Sequence, residues 1–224
     1  MEINKYIDHT NLKAYATKKD IEKLCDEAIK YKFASVCVNP YYVGLADELL
    51  IRSDVMVCAV VGFPLGQNTT AVKEYEAIQA VEEGADEIDM VINIAALKDK
   101  NYDYVKKEIE TVRDSIEGTT LKVIIETCYL TEEEIIKMTE ICNETYVNFI
   151  KTSTGFATNG ATLNDIELIN KHKMDYLEIK ASGGIHTFEQ MKSLIGAGAT
   201  RIGTSKGVQI MQEMAENCNN DKEM

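Results

Sequence analysis

The chain has 224 residues, with 37 acidic side chains against 24 basic ones, a formal charge of −13 and 45% hydrophobic residues. That balance works against a binder of duplex DNA or RNA, which shows a basic face, and against a disordered solvating chain. It leaves room for a phosphate-bearing small molecule, because a few backbone amides and one lysine bind such an anion locally. From the N-terminus, Met1-Glu2-Ile3-Asn4-Lys5-Tyr6 lacks the apolar run of a signal peptide. No stretch reaches the ~20 uncharged apolar residues of a membrane span, so a cytoplasmic protein without membrane partners is expected. Short runs rich in Val and Ile then recur at residues 6–9, 35–38, 55–62, 87–92, 121–126, 147–152, 176–181 and 200–203, and read as eight strands. The nearly continuous hydrophobic interiors of 55–61 and 123–125 suit strands covered on both faces.

Between the strands lie segments of helical period with a repeated start signal. Thr17, Thr131, Thr162 and Thr187 are followed three residues later by Asp20, Glu134, Asp165 and Gln190, the spacing of a capping box. Apolar faces follow, as at Ile21, Leu24, Ala28 and Ile29, or Val105, Ile109, Val112 and Ile116. Gly84, Gly118 and Gly198 stand where helices stop. Gly84-Ala85-Asp86-Glu87-Ile88 and Gly198-Ala199-Thr200-Arg201-Ile202 repeat one pattern of helix end, turn and strand entry. Alternating βα units require a parallel sheet. Eight of them in about 200 residues predict an α/β fold, a single (β/α)8 TIM barrel, over an open doubly wound sheet. The first strand is not followed by G-x-G-x-x-G. The barrel domain is expected over 1–214, with a polar C-terminal tail over 215–224.

Cys25, Cys37, Cys58, Cys128, Cys142 and Cys218 include no C-x-x-C pair, and His9, His172 and His186 are scattered. Free thiols are therefore expected, with neither a disulfide framework nor a metal site.

In a barrel of this class, function sits where strands run into the following loops. Phe149-Ile150-Lys151-Thr152-Ser153 and Glu178-Ile179-Lys180-Ala181-Ser182 each end an apolar strand on a lysine, one βα unit apart. Two ammonium groups in matched register are a poor choice for stability. They are a good one for chemistry, because an amine is nucleophilic only when neutral and a neighbouring ammonium makes the charged form less favourable. Asp89, in Glu87-Ile88-Asp89-Met90-Val91, is an acid on a strand and needs such a partner. Ser182-Gly183-Gly184-Ile185-His186 and Gly203-Thr204-Ser205-Lys206-Gly207 follow the seventh and eighth strands, where barrels often bind phosphate. Gly155, Gly183, Gly184, Gly203, Thr204 and Ser205 are the expected phosphate donors, with the Lys206 ammonium beside them. Asp8, Thr10, Cys37 and Thr152 are further candidates to line the site. His9 reads as a hydrogen-bonded structural histidine, and Cys37, with no base nearby in sequence, as a buried filler.

These residues resemble the deoxyribose-phosphate aldolase family. The matching stretches include Ile7-Asp8-His9-Thr10, Val36-Cys37-Val38-Asn39-Pro40, Val61-Gly62-Phe63-Pro64-Leu65-Gly66 and Glu87-Ile88-Asp89-Met90-Val91-Ile92-Asn93. Val123-Ile124-Ile125-Glu126-Thr127, Ile150-Lys151-Thr152-Ser153-Thr154-Gly155-Phe156 and Lys180-Ala181-Ser182-Gly183-Gly184 continue the match in family order. The chain departs from the family pattern at Asn11, Ala14-Tyr15, Ala157, Asn159 and Lys206. The resemblance implies a class I, metal-free and cofactor-free aldolase on a (β/α)8 barrel. Such an enzyme cleaves 2-deoxy-D-ribose 5-phosphate to acetaldehyde and D-glyceraldehyde 3-phosphate, a step of deoxyribose phosphate catabolism. It also implies that Lys151 forms the Schiff base and that Lys180 and Asp89 transfer protons. Two other readings compete with it. A sugar-phosphate isomerase or epimerase with a carboxylate base explains Asp89 but leaves the lysine pair idle. A non-catalytic phosphosugar-binding regulator predicts binding without turnover. A homo-oligomer, dimer or tetramer, fits barrels generally, but the sequence names no interface.

Overall fold

The structure is a computed structural model that describes the backbone of residues 2–220 and the side chains of residues 2–217. Its strands are β1 (Ile7–Asn11), β2 (Ser35–Val38), β3 (Met56–Val61), β4 (Glu87–Val91), β5 (Thr120–Ile124), β6 (Phe149–Lys151), β7 (Glu178–Ser182) and β8 (Arg201–Thr204). They pair in sequence order, all parallel, and β8 returns to β1 to close the barrel. The expected (β/α)8 architecture is present. Helices α1 (Lys18–Tyr31), α2 (Val43–Leu50), α3 (Thr70–Glu82), α4 (Ile94–Lys98) and α5 (Tyr102–Ser115) surround its first half. The second half carries α6 (Glu132–Glu144), α7 (Leu163–His172), α8 (Phe188–Ala197) and α9 (Gly207–Asn220). No helix among the described residues is long and apolar enough to cross a membrane.

Three of the four capping threonines form the boxes their spacing predicts; at Thr162 the Asp165 carboxylate accepts from the Thr127 hydroxyl instead. Thr17, Thr131 and Thr187 complete capping boxes, and the Thr162 side chain accepts from the Asp165 amide. Each cap satisfies an amide that the helix itself leaves unpaired. On α1 the buried face is Ile21, Leu24, Cys25 and Ala28, while Ile29 is exposed. One residue turns a helix by 100°, which carries position 29 off the stripe. Residues 215–220, expected as the start of a polar tail, continue α9, and 221–224 lie outside the described residues.

Strand alternation sorts the side chains into two populations. Ile7, Val36, Val57, Ile88, Leu121, Ile150, Ile179 and Ile202 point outward and pack with the helices, forming the main hydrophobic core. The lumen is charged instead: Asp8, Glu87, Asp89, Lys122, Lys151 and Lys180 are all buried there. Its β1–β3 side is apolar, where Leu12, Cys37, Cys58 and Val60 cluster with Phe63. Strands β3 and β5 are therefore covered on both faces, with helices outside and, inside, the apolar Cys58–Val60 side for β3 and the charged network around Lys122 for β5.

Candidate active site

The site begins with strand register. Lys151 and Lys180 are Cα partners across β6 and β7, as their matched motifs predict. Lys151 is the last residue of β6 and Lys180 the third of β7. Asp89 lies at the middle of β4 and pairs in register with Lys122 of β5. Closing the barrel turns all four inward.

Asp89 is the hub. Its Oδ2 accepts from Lys151 and Lys180, each at 2.7 Å, and its Oδ1 from Lys122 at 2.9 Å. Lys180 also meets Asp8 Oδ2 at 2.5 Å, and Arg201 joins Asp8 Oδ1 at 2.8 Å to Glu87 at 3.1 Å. Lys122 reaches Glu87 at 2.6 Å. Three carboxylates thus face four cations in one buried volume. The lysines do not meet as a bare pair of ammoniums, as the sequence suggests; the Asp89 carboxylate stands between them. The reason is energetic: a buried unpaired ammonium costs too much, so each takes an anionic partner.

Charge states follow from this arrangement. Burial alone pushes the Asp89 carboxyl up, but Lys122, Lys151 and Lys180 outweigh it and hold the group well below its ordinary value. Burial likewise opposes the Lys180 charge, yet Asp8 and Asp89 hold its pKa above that of a free lysine. Asp8 stays ionised against burial because Lys180 and Arg201 face it. At rest Lys180 is thus an ammonium and Asp89 a carboxylate, in contact with the Lys151 nitrogen.

Above this network opens a cavity of about 270 Å³ at the C-terminal ends of the strands. Of the three lumen lysines, only Lys151 lines it. Thr10 and Thr154 stand on its walls with it. Gly155, Gly183, Gly184, Gly203, Thr204 and Ser205 also line it, so the structure gathers all six expected phosphate donors around one opening. Gly183 and Gly184 both have positive φ, +83° and +74°, which glycine adopts without strain. A Cβ at Gly203 would meet Lys180 Cε at 3.2 Å, so that glycine clears the space Lys180 occupies.

Other expected residues fall elsewhere. Asp8, Asp89 and Lys180 sit beneath the cavity rather than on it. Thr152 is buried, its hydroxyl donating to the Ser182 carbonyl at 3.3 Å, and ties β6 to β7. Cys37 pairs in register with Cys58 on β3, and both are buried. Cys58 donates to Asp89 Oδ1 at 3.1 Å. Cys37, Cys58 and Asp89 offer ligand-type atoms within 4.8 Å of one another. The Lys122 ammonium, 3.3 Å from Cys58 Sγ and 2.9 Å from Asp89, already supplies the positive charge there, so the cluster suits a metal poorly. His9 points away from the lumen and meets Glu27 of α1 at 2.8 Å, the structural role expected of it. The Lys206 side chain does not line the cavity.

Sequence reasoning missed three members of the network, Lys122, Glu87 and Arg201. The signal was available: each is a charge alternating with apolar residues in a strand, in Leu121-Lys122-Val123, Glu87-Ile88 and Arg201-Ile202. It also gave Glu126 no role. That residue follows β5 with φ +53°, and its carboxylate accepts from the Thr154 amide at 3.2 Å and from the Thr154 hydroxyl. Burial pushes its carboxyl up. It anchors the Thr154–Gly155–Phe156 wall immediately beyond Lys151. No local pattern announces a left-handed glutamate.

A family model described as DeoC/LacD family aldolase matches residues 3–213. The chain belongs to the DeoC/LacD aldolase family. It is 59% identical over 216 residues to the deoxyribose-phosphate aldolase of Thermococcus gammatolerans, covering 95% of this chain and 96% of that one. The solved aldolase QR15 superposes with a TM-score of 0.92 at 46% identity, covering 96% of both chains. The tetrameric deoxyribose phosphate aldolase of Aeropyrum pernix has a TM-score of 0.87 at 29% identity, covering 95% of this chain and 91% of that one. The DeoC/LacD aldolase fold thus extends over the whole network described above, from Asp8 to Arg201.

Proposed function

We propose that this chain is a deoxyribose-phosphate aldolase working through a Schiff base on Lys151. One observation carries the assignment of roles: Lys151 alone joins the two halves of the site, with its amine on Asp89 and its side chain on the cavity wall. The open-chain aldehyde of 2-deoxyribose 5-phosphate enters with its phosphate toward the glycine rim. The Lys151 nitrogen adds to the carbonyl carbon, forming a carbinolamine, and loss of water gives an iminium. A base takes the proton of the 3-hydroxyl, the C2–C3 bond breaks, and its electron pair flows into the iminium as an enamine. Glyceraldehyde 3-phosphate leaves. Protonation of the enamine carbon and hydrolysis then release acetaldehyde and restore the amine.

Asp89 and Lys180 serve these proton transfers, aided by a water that the open cavity admits. Lys180, an ammonium at rest, gives up a proton and regains it within each cycle. Asp89 accepts from both lysines and gives a proton a path between them. Holding the phosphate away from Lys151 orients the reacting carbon, which is where remote binding energy aids turnover.

An isomerase with a carboxylate base is less well served. Asp8, Glu87 and Asp89 are all engaged by cations below the cavity, and none lines it. We also propose that the chain works in the cytoplasm as a homo-oligomer, dimer or tetramer; sedimentation of the pure protein tests the assembly. The test of the activity is release of acetaldehyde from 2-deoxyribose 5-phosphate by the pure protein, without added metal. Binding of the substrate without acetaldehyde overturns the reading.

A further inference from the structure

We propose that Lys13, in the loop between β1 and α1, is the cation that selects a phosphorylated substrate. The inference rests on the aldolase reading, and it concerns a residue to which that chemistry assigns no role. The starting point is the distribution of charge. A chain of net charge −13 repels a phosphate dianion unless a cation stands at the point of entry. Among the described residues lining the cavity, the lysines are Lys151 and Lys13. Lys151 is engaged by Asp89 and reserved for the carbonyl. Lys206, the cation suggested by sequence, is off the wall.

Topology explains why Lys13 arrives there. Strand β1 pairs with β8 in the register Asp8 to Gly203 and His9 to Thr204. The chain leaving β1 therefore rises beside the chain leaving β8, and residues 11–13 face Gly203, Thr204 and Ser205 across one opening. The loop is built to hold its lysine. The Lys13 amide donates to Asn11 Oδ1 at 3.4 Å, and its carbonyl accepts from the Ala16 amide at 3.0 Å. The anchored backbone leaves only the side chain to move. At present the ammonium rests 5.8 Å above the exposed Tyr15 ring, a weak contact that a phosphate oxygen replaces readily. Asp20, which feels the Lys13 charge, is occupied by the Thr17 amide and hydroxyl, both at 2.7 Å, and does not compete for it. Amides turned by Gly183 and Gly184 make the neutral half of an anion cradle, and Lys13 completes it with charge.

The test compares Lys13→Met, Lys13→Arg and Lys206→Met with the intact protein on 2-deoxyribose 5-phosphate and on unphosphorylated 2-deoxyribose. Losing one charge-assisted hydrogen bond to phosphate is expected to cut kcat/KM for the phosphate ester about 10- to 100-fold, mostly through KM. On unphosphorylated deoxyribose the same variant should stay within about 2-fold, and Lys13→Arg should recover most of the loss. Inorganic phosphate should inhibit Lys13→Met correspondingly less well. Equal losses on both substrates, no loss on either, or selectivity lost in Lys206→Met alone would each overturn the assignment. Should the intact protein cleave neither substrate, the aldolase reading fails by itself. Binding of inorganic phosphate, measured calorimetrically with and without Lys13→Met, then still decides for or against Lys13.

Discussion

Asp89 Oδ2 holds Lys151 Nζ at 2.7 Å across an intervening strand, joining β4 to β6 through the lumen. The contact defines the site. In the proposed mechanism it places a carboxylate against the nitrogen that adds to the carbonyl, on a side chain that also lines the cavity. An acid–base partner within hydrogen-bond reach is the first geometric requirement for such a transfer.

If Lys151 is the nucleophile, its imine is reducible. Borohydride added with acetaldehyde or deoxyribose phosphate is expected to inactivate the protein and add the mass of the bound aldehyde. Peptide mass mapping should place the adduct on Lys151, and Lys151→Ala should lose both adduct and turnover while remaining folded. An adduct on Lys180 would exchange the two roles, and no adduct on an active protein would end the imine mechanism.

Lys180 has a different signature. Lys180→Met removes the ammonium next to Asp89 without touching the cavity wall, and turnover is expected to fall by at least ~100-fold, the low end for a lost acid–base group. Substrate KM should change far less than kcat, because the side chain lies beneath the cavity. A circular dichroism melt run alongside separates the chemical loss from unfolding. Turnover close to that of the intact protein would remove Lys180 from the mechanism.

A second buried pair, Lys73 of α3 and Glu108 of α5 at 2.8 Å, concerns stability rather than chemistry. Lys73 also donates to the Val91 carbonyl, and Glu108 accepts from the Asn93 amide, so the pair fastens the end of β4 to two helices. Lys73→Met leaves a carboxylate without its cation and is expected to cost about 3–5 kcal/mol in urea unfolding. Adding Glu108→Leu should restore part of that. A single variant as stable as the parent would show that the pair contributes nothing.

Acid should act through Asp8. Burial opposes its charge, but Lys180 and Arg201 hold its folded pKa below the unfolded value of about 4. The unfolded chain therefore binds the proton more readily. The stability from Asp8 is complete above about pH 4 and is lost as the pH falls through the folded value. Asp8→Asn should accordingly be less stable than the parent at pH 7, with the gap narrowing as the pH drops below about 4. A gap that holds constant or widens on acidification would contradict this origin.

Much of this protein was legible in its residues alone. Helical and strand periods set eight βα units, threonines three residues before Asp, Glu or Gln marked helix starts, and Lys151 and Lys180 stood out in matched motifs, although Lys180 lies in the middle of β7 and not at its end. These are local facts, because a capping hydroxyl or an alternating side chain acts within a few residues of itself. What lies beside what was settled only by closure. Asp89 and Lys151 are 62 residues apart in sequence, and Asp89 and Lys180 91 apart. Only the barrel turns them toward one point and sets a carboxylate between two ammoniums that sequence presents as a bare pair. The same closure turns His9 outward to Glu27, uses a left-handed Glu126 to anchor Thr154, and brings Lys13 rather than Lys206 to the cavity wall. Strand tilt and loop conformation decide which way a rim side chain leans, and both are set by packing around the whole ring.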